Sequence, residues 1–237
     1  LLADKTVTKV AGWKKGLFGY DVTPGIFTSE AQLDSEFVYN QYCGANLSKY
    51  MVKENANIET NKATVKTNNQ MALQRDPNAA QAPIPQEKTL VFLKPCDTYS
   101  FNQLLKEHRI KRENVYVIGI PCVDFVQVPE GGSEADAKPL EKCATCKSTK
   151  HVVYDELLGE EGDVKDSSRF DQVAELEKMN PEERYNFWRN ELSRCIRCNA
   201  CRNVCPACTC ETCIFDNPNS GIAQKAAADT FEEKMFH

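Results

Sequence analysis

The amino-acid sequence predicts an α/β fold: a small parallel or mixed sheet over residues 1–160, followed by a helical, cysteine-rich segment over 167–237. Three observations predict it. Two runs of buried-type residues, 89–94 and 115–120, flank a stretch with helical apolar spacing. A complete helix-start signature sits at Asn180, Pro181 and Glu183. Seven of the twelve cysteines crowd between Cys195 and Cys213.

Taken in order, residues 1–51 read as short helices and turns. Pro24-Gly25 marks a turn before Ile26 and Phe27, and Cys43-Gly44 opens a helix over 45–52, which places Cys43 at a helix start. Residues 53–86 are rich in Asn, Thr, Lys, Ala and Pro and show little apolar periodicity. They read as a surface insertion that contains a hairpin of 57–60 with 63–67.

The clearest organisation follows. Residues 89–94 form a strand, 99–108 have helical spacing through Phe101, Leu104 and Leu105, and 115–120 form a second strand. This is a βαβ unit, so its strands are expected parallel and adjacent. Each runs into a cysteine, in Lys94-Pro95-Cys96-Asp97 and Ile120-Pro121-Cys122. Both thiols are thereby expected at the carboxyl ends of parallel strands, where open α/β sheets carry ligands.

A loop with Gly131-Gly132 leads to Cys143-Ala-Thr-Cys146, a short apolar run at 152–158, and a charged linker that puts a domain boundary at 159–166. Helices are predicted over 169–179 and 181–193, the second with Tyr185, Trp188 and Leu192 on a buried face. A last helix is predicted over 222–237. His151, near Lys147 and Lys150, reads as part of a solvated charged cluster, and Trp188 as core.

Composition narrows the function. The net charge of -5 comes from 34 acidic and 29 basic residues that are interspersed, so no basic stripe marks a nucleic-acid partner. The longest apolar stretches, 89–93 and 115–123, are far shorter than the roughly 20 residues of a membrane-spanning helix. No signal peptide is visible, and a cytoplasmic protein is expected. Leu1 in place of a methionine reads as a start that lacks part of the natural chain. No G-x-G-x-x-G, G-x4-G-K-[ST] or H-E-x-x-H occurs, so nothing marks a nucleotide or hydrolytic site.

The cysteines carry the chemistry. Cys195-Ile-Arg-Cys198-Asn-Ala-Cys201-Arg-Asn-Val-Cys205-Pro206 matches the C-x2-C-x2-C-x3-C-P run of bacterial ferredoxins at every ligand position and at the proline. A cubane needs thiolates on separate corners; a tight loop can supply three, and a fourth arrives from elsewhere. Structural zinc, the alternative, usually takes two separated ligand pairs. Cys208, Cys210 and Cys213 add more thiols than one cubane accepts, so a second centre is implied. Cys122, Cys143 and Cys146 supply three ligands for it and need one more from the 205–213 stretch. Cys143-x2-Cys146 alone also fits a zinc knuckle or a redox pair. Cys96 and Cys43, each readable as a small buried hydrophobe, would complete a third centre. Arg194, Arg197 and Arg202 are the cations placed to raise the potential of an anionic cluster.

These motifs, with Tyr42-Cys43-Gly44-Ala45-Asn46-Leu47, resemble the iron–sulfur subunits related to the coenzyme F420 hydrogenase/dehydrogenase beta family. The resemblance covers most of the chain. It implies a non-catalytic or only partly catalytic electron conduit, with [4Fe-4S] clusters, at least two and three if Cys43 and Cys96 are ligands. Cys195, Cys198, Cys201 and Cys205 would bind cluster iron. It also implies partners: the redox subunits of an anaerobic hydrogenase, formate dehydrogenase or heterodisulfide reductase-like complex. Many relatives continue into a second ferredoxin motif beyond the position of His237, and the flavin-binding features of F420-using members are not found here, so no flavin is expected. Two rivals stay open: a flavin-bearing subunit that reduces F420 or a similar hydride carrier, and a zinc-stabilised interaction module.

Overall fold

A run such as Thr-Leu-Val-Phe-Leu, β-branched and aromatic with no polar alternation, can only be covered on both faces, and it lies at the heart of the sheet. The computed structural model describes residues 1–147, 150–163, 169–196, 198–210, 213 and 219. The chain divides into two compact units, Leu1–Asp166 and Ser167–His237.

The first unit runs β1 (Lys9–Lys15), β2 (Val22–Phe27), α1 (Glu30–Glu36), α2 (Tyr50–Arg75), β3 (Thr89–Leu93), α3 (Pro95–Lys106), β4 (Val115–Gly119), β5 (Val126–Gln127), β6 (Lys138–Pro139), α4 (Glu141–Ala144) and β7 (Glu156–Leu157). A five-stranded sheet has the order β2-β1-β3-β4-β7, and β5 and β6 form a separate two-stranded ribbon. Within the sheet the β1–β2 pair is antiparallel, and the β1–β3, β3–β4 and β4–β7 pairs are parallel. The sheet is therefore mixed, and β3-α3-β4 is the expected βαβ unit with parallel, adjacent strands. Trp13, Leu93, Phe101, Leu104 and Val117 are sealed from solvent in the core.

The amino-terminal region differs from the expectation of short helices and turns: it is a β-hairpin. Pro24-Gly25 lies inside β2, opposite Trp13 and Gly12, and β2 is an edge strand, where a proline that cannot donate is tolerated. In β1 the four consecutive residues Val10 to Trp13 are buried between lysines, so no alternation shows. Gly12 is required there, because a Cβ would come within 2.8 Å of the Phe37 ring.

The helix over 45–52 is also corrected. Cys43 sits in a turn, and α2 begins only at Tyr50. That helix continues to Arg75 and replaces the hairpin expected at 57–67. Met51 and Ile58 bury apolar side chains in its first half, and the rest of its anchoring is polar, which apolar periodicity cannot reveal. Glu54 pairs with Lys9 at 2.7 Å. The Asn55 amide oxygen accepts the Lys111 backbone N–H at 3.0 Å and the Asn114 amide at 2.8 Å. Lys62 donates to Asn114 at 2.6 Å. Thr60 and Thr64 turn their hydroxyls back to helix carbonyls.

The second unit contains α5 (Asp171–Lys178), α6 (Pro181–Ser193) and α7 (Ala200–Val204). Asn180 caps α6 by accepting the Glu182 and Glu183 N–H groups at 3.0 Å, and Glu183 accepts the Asn180 N–H at 2.8 Å. The expected buried face is not there: Tyr185 and Trp188 are 44% and 46% exposed. The predicted helix over 222–237 lies outside the described residues. Among the described residues, no helix is long and apolar enough to cross a membrane.

Candidate metal centre

Parallel strands end together, and two of the cysteine-bearing loops leave the sheet at that common end. Cys96 is in the first turn of α3, directly after β3, and Cys122 follows β4. The floor beneath them is Lys94, fully buried, whose ammonium donates to the carbonyls of Cys43 (3.1 Å) and Ala45 (2.6 Å) and pairs with Asp97 at 2.8 Å. The same ammonium lies 4.5 Å from the Trp13 ring centroid and 5.1 Å from that of Phe125. A lysine held by two carbonyls and a carboxylate, with aromatic faces around it, fixes the Cys43 turn against the strand end.

Tyr39 ties in the other loop, donating its hydroxyl to the Pro121 carbonyl. Burial raises its pKa most, and charge on Cys122, Cys43, Asp97 or Cys96 raises it further. One hydroxyl thus lies within electrostatic reach of three thiols.

His151 holds the strand ends from outside. It is buried, not part of a solvated cluster: Nε2 faces the carbonyls of Leu93 (3.2 Å) and Ile120 (3.1 Å), and Nδ1 faces the Glu161 carboxylate at 3.1 Å. The Glu161 carboxylate also accepts the His151 backbone N–H at 2.7 Å, and this bond and the ring contact hold its pKa below the usual range.

Cys143 is carried by α4. Its backbone N–H donates to Leu140, Leu140 N–H donates to Phe125, and Cys146 N–H donates back to Cys143 at 3.1 Å. Lys142 donates to the Gly44 carbonyl at 2.6 Å, which ties α4 to the Cys43 turn. Leu140 packs so close to that turn that a Cβ on Gly44 would lie 2.6 Å from its Cδ1.

Burial raises the Cys43 thiol, against the Asn40 N–H and Lys94. Cys96 keeps an exposed side, yet the protein packed about its sulfur, with Asp97 adding, pushes it up to about 12 while Lys94 and Lys142 oppose. Cys143 is raised by burial first; Lys142 opposes, and charge on Cys122 or Cys146 adds. Thiols that raise one another are a donor set a metal's positive charge would compensate, releasing protons as it binds.

In the second unit, α6 delivers Cys195, whose N–H donates to Leu192 at 3.0 Å. Asn199 adopts a left-handed φ of 63°, turning the chain between Cys198 and α7, which carries Cys201. Cys205 N–H donates to Cys201 and Cys208 N–H to Cys205, both at 3.1 Å. Cys198, Cys201, Cys208 and Cys210 are exposed; Cys195, Cys205 and Cys213 are partly so. Arg194 pairs with Glu191, Arg202 lies in the last turn of α7, and Arg197 is outside the described residues.

All twelve cysteines are described and none forms a disulfide. Among the described residues, no three His, Cys, Asp or Glu side chains converge as the ligands of one metal ion would. The donor set is nonetheless all thiol, the type that suits iron–sulfur clusters and zinc rather than hard cations. No protein-family model and no curated protein matches the chain.

The thiols are evident in the sequence; Tyr39 is not, and the contacts made by Lys94, Asp97, Lys142 and His151, which stand within the motifs and the charged stretch, show only in the fold. For Lys94 and Asp97 a signal existed: two opposite charges three residues apart, directly after a strand with no charged residue.

Proposed function

We propose that the chain is an electron-transfer subunit that relays electrons through [4Fe-4S] clusters within a multi-subunit anaerobic oxidoreductase complex of the hydrogenase, formate dehydrogenase or heterodisulfide reductase type. The observation that carries it is the run Cys195-x2-Cys198-x2-Cys201-x3-Cys205-Pro206, whose four thiols and proline match the bacterial ferredoxin spacing. The resemblance to the iron–sulfur subunits of the F420 hydrogenase/dehydrogenase beta family supports the same reading. In it the helical second unit presents a ferredoxin-like loop, and a further centre uses thiols of the first unit.

When bound, the clusters supply one-electron chemistry. The residues of the chain hold the iron, shield it from water and set its potential through burial and through N–H groups and cations near sulfur. Twelve thiols without a disulfide suit a reducing compartment such as the cytoplasm. The chain itself makes no bond to a substrate in this reading.

Iron and acid-labile sulfide, counted on protein purified without oxygen, test it. About eight irons per chain and reduced-state paramagnetic signals are expected. Zinc without sulfide would reassign the chain to a zinc-stabilised interaction module, and stoichiometric flavin to a hydride-carrier reductase. Cys198→Ser should remove or alter one cluster; an unchanged iron count and spectrum would sink the assignment.

A further inference from the structure

Two strand registers bring four thiols to one end of the sheet. β3 and β4 pair with Leu93 opposite Gly119. Cys96 follows Leu93 by three residues and Cys122 follows Gly119 by three, so both leave the sheet at the same level. In the β5–β6 ribbon Val126 lies opposite Pro139. Cys122 precedes Val126 by four residues and Cys143 follows Pro139 by four, which sets both at the same end of the ribbon. The bond from Cys146 N–H to the Cys143 carbonyl keeps Cys146 with its neighbour.

Exposure separates these four from the fifth thiol of the unit. Cys43 is 0% exposed, and its sulfur accepts the Asn40 N–H at 3.3 Å inside its own turn. Cys96 and Cys122 are exposed, and Cys143 and Cys146 partly so. Tyr39 donates to the Pro121 carbonyl directly before Cys122, and Lys142, next to Cys143, donates to the Gly44 carbonyl, so both loops are tied to the same turn region. A cubane takes its thiolates on separate corners, so its ligands need not converge as those of a single ion do.

We infer that Cys96, Cys122, Cys143 and Cys146 ligate one iron–sulfur cluster wholly within the first unit, with Cys43 left in the core. The inference rests on the iron–sulfur reading above and changes its ligand set: the fourth thiolate comes from the start of α3, not from the 205–213 stretch. The Lys94–Asp97 pair beneath Cys96 and the Lys142 tie to the Cys43 turn are the supports that hold two of the ligand-bearing loops.

The test counts iron and acid-labile sulfide on the whole chain, purified without oxygen, with reduced-state paramagnetic resonance. Cys96→Ser and Cys122→Ser should each lose about four irons, and the double variant C96S/C122S should lose no more than either. Cys43→Ala should keep the full complement, and C96S/C198S should lose about eight irons. Full iron in C96S, or additive loss in C96S/C122S, overturns the ligand set and leaves the iron–sulfur reading standing. A wild-type chain without sulfide overturns both.

A measurement on the wild type avoids any folding defect of the variants. With clusters in place, Cys96, Cys122, Cys143 and Cys146 should resist iodoacetamide, and all four should become alkylated when a chelator strips the iron. Alkylation of Cys96 in the loaded protein overturns the inference.

Discussion

Lys94 and Asp97 form an ion pair of 2.8 Å in which neither side chain meets solvent, at 0% and 2% exposure. Truncating one partner strands the other charge in the core, which costs about 3–5 kcal/mol. Asp97→Ala and Lys94→Met should each show a loss of that size in denaturant unfolding, and the double variant should lose less than the sum. Two single losses below about 1 kcal/mol would mean that the pair is solvated in solution.

His151 supplies the hydrogen-bonding partner for two strand-end carbonyls. In His151→Leu the Ile120 carbonyl loses it, while the Leu93 carbonyl keeps the Ile120 N–H at 3.0 Å, at a cost of about 1–3 kcal/mol. The corresponding drop in melting temperature is the readout; an unchanged melt would show that water replaces the ring without penalty.

Glu59 accepts from Lys111, Asn114 and Lys62, and these partners lower its pKa from 4.5 to about 2. A carboxylate whose folded pKa is depressed contributes stability above its unfolded pKa, and that contribution fades as pH falls through the folded value. Wild-type stability should therefore decline from about pH 4.5 towards pH 2 more steeply than that of Glu59→Gln. Parallel pH profiles for the two proteins would remove Glu59 from the acid response.

The capping box of α6 stands directly upstream of the first ferredoxin-type cysteine. Asn180→Ala should cost about 1 kcal/mol of helix stability, and Asn180→Asp should restore most of it. Thermal loss of the helical circular dichroism signal measures both, and equal melts for wild type and Asn180→Ala would refute the role of the cap.

How much could be read beforehand followed from what kind of force holds each element. The βαβ unit was legible because Leu90, Val91, Leu93 and Val117 are buried for the same reason they stand in unbroken runs. The amino-terminal hairpin was not, because Pro24-Gly25 signals a turn to local rules and becomes tolerable only at a sheet edge, a fact of topology. The helix α2 was hidden because Glu54 and Asn55 dock it through polar bonds to Lys9 and Lys111. Tyr185 and Trp188 misled in the opposite direction, since helical spacing says which residues share a face and not whether that face is covered. At the candidate centre the thiols were evident by residue type, whereas the distinction between Cys43 and Cys96 is a matter of burial that appears only in the folded chain.

The ribbon of β5 and β6 has a last consequence. Because pairing of Val126 with Pro139 brings Cys122 and Cys143 to one end of the ribbon, the chain between the two strands, which the Tyr42 hydroxyl ties down at Glu134, need not keep its length ahead of that tie for the two thiols to stay there. Insertions or deletions near Gly131 and Gly132 would leave the two thiols in place. Among homologous chains the interval between these cysteines should drift freely, and a motif defined by a fixed interval would pass over genuine members.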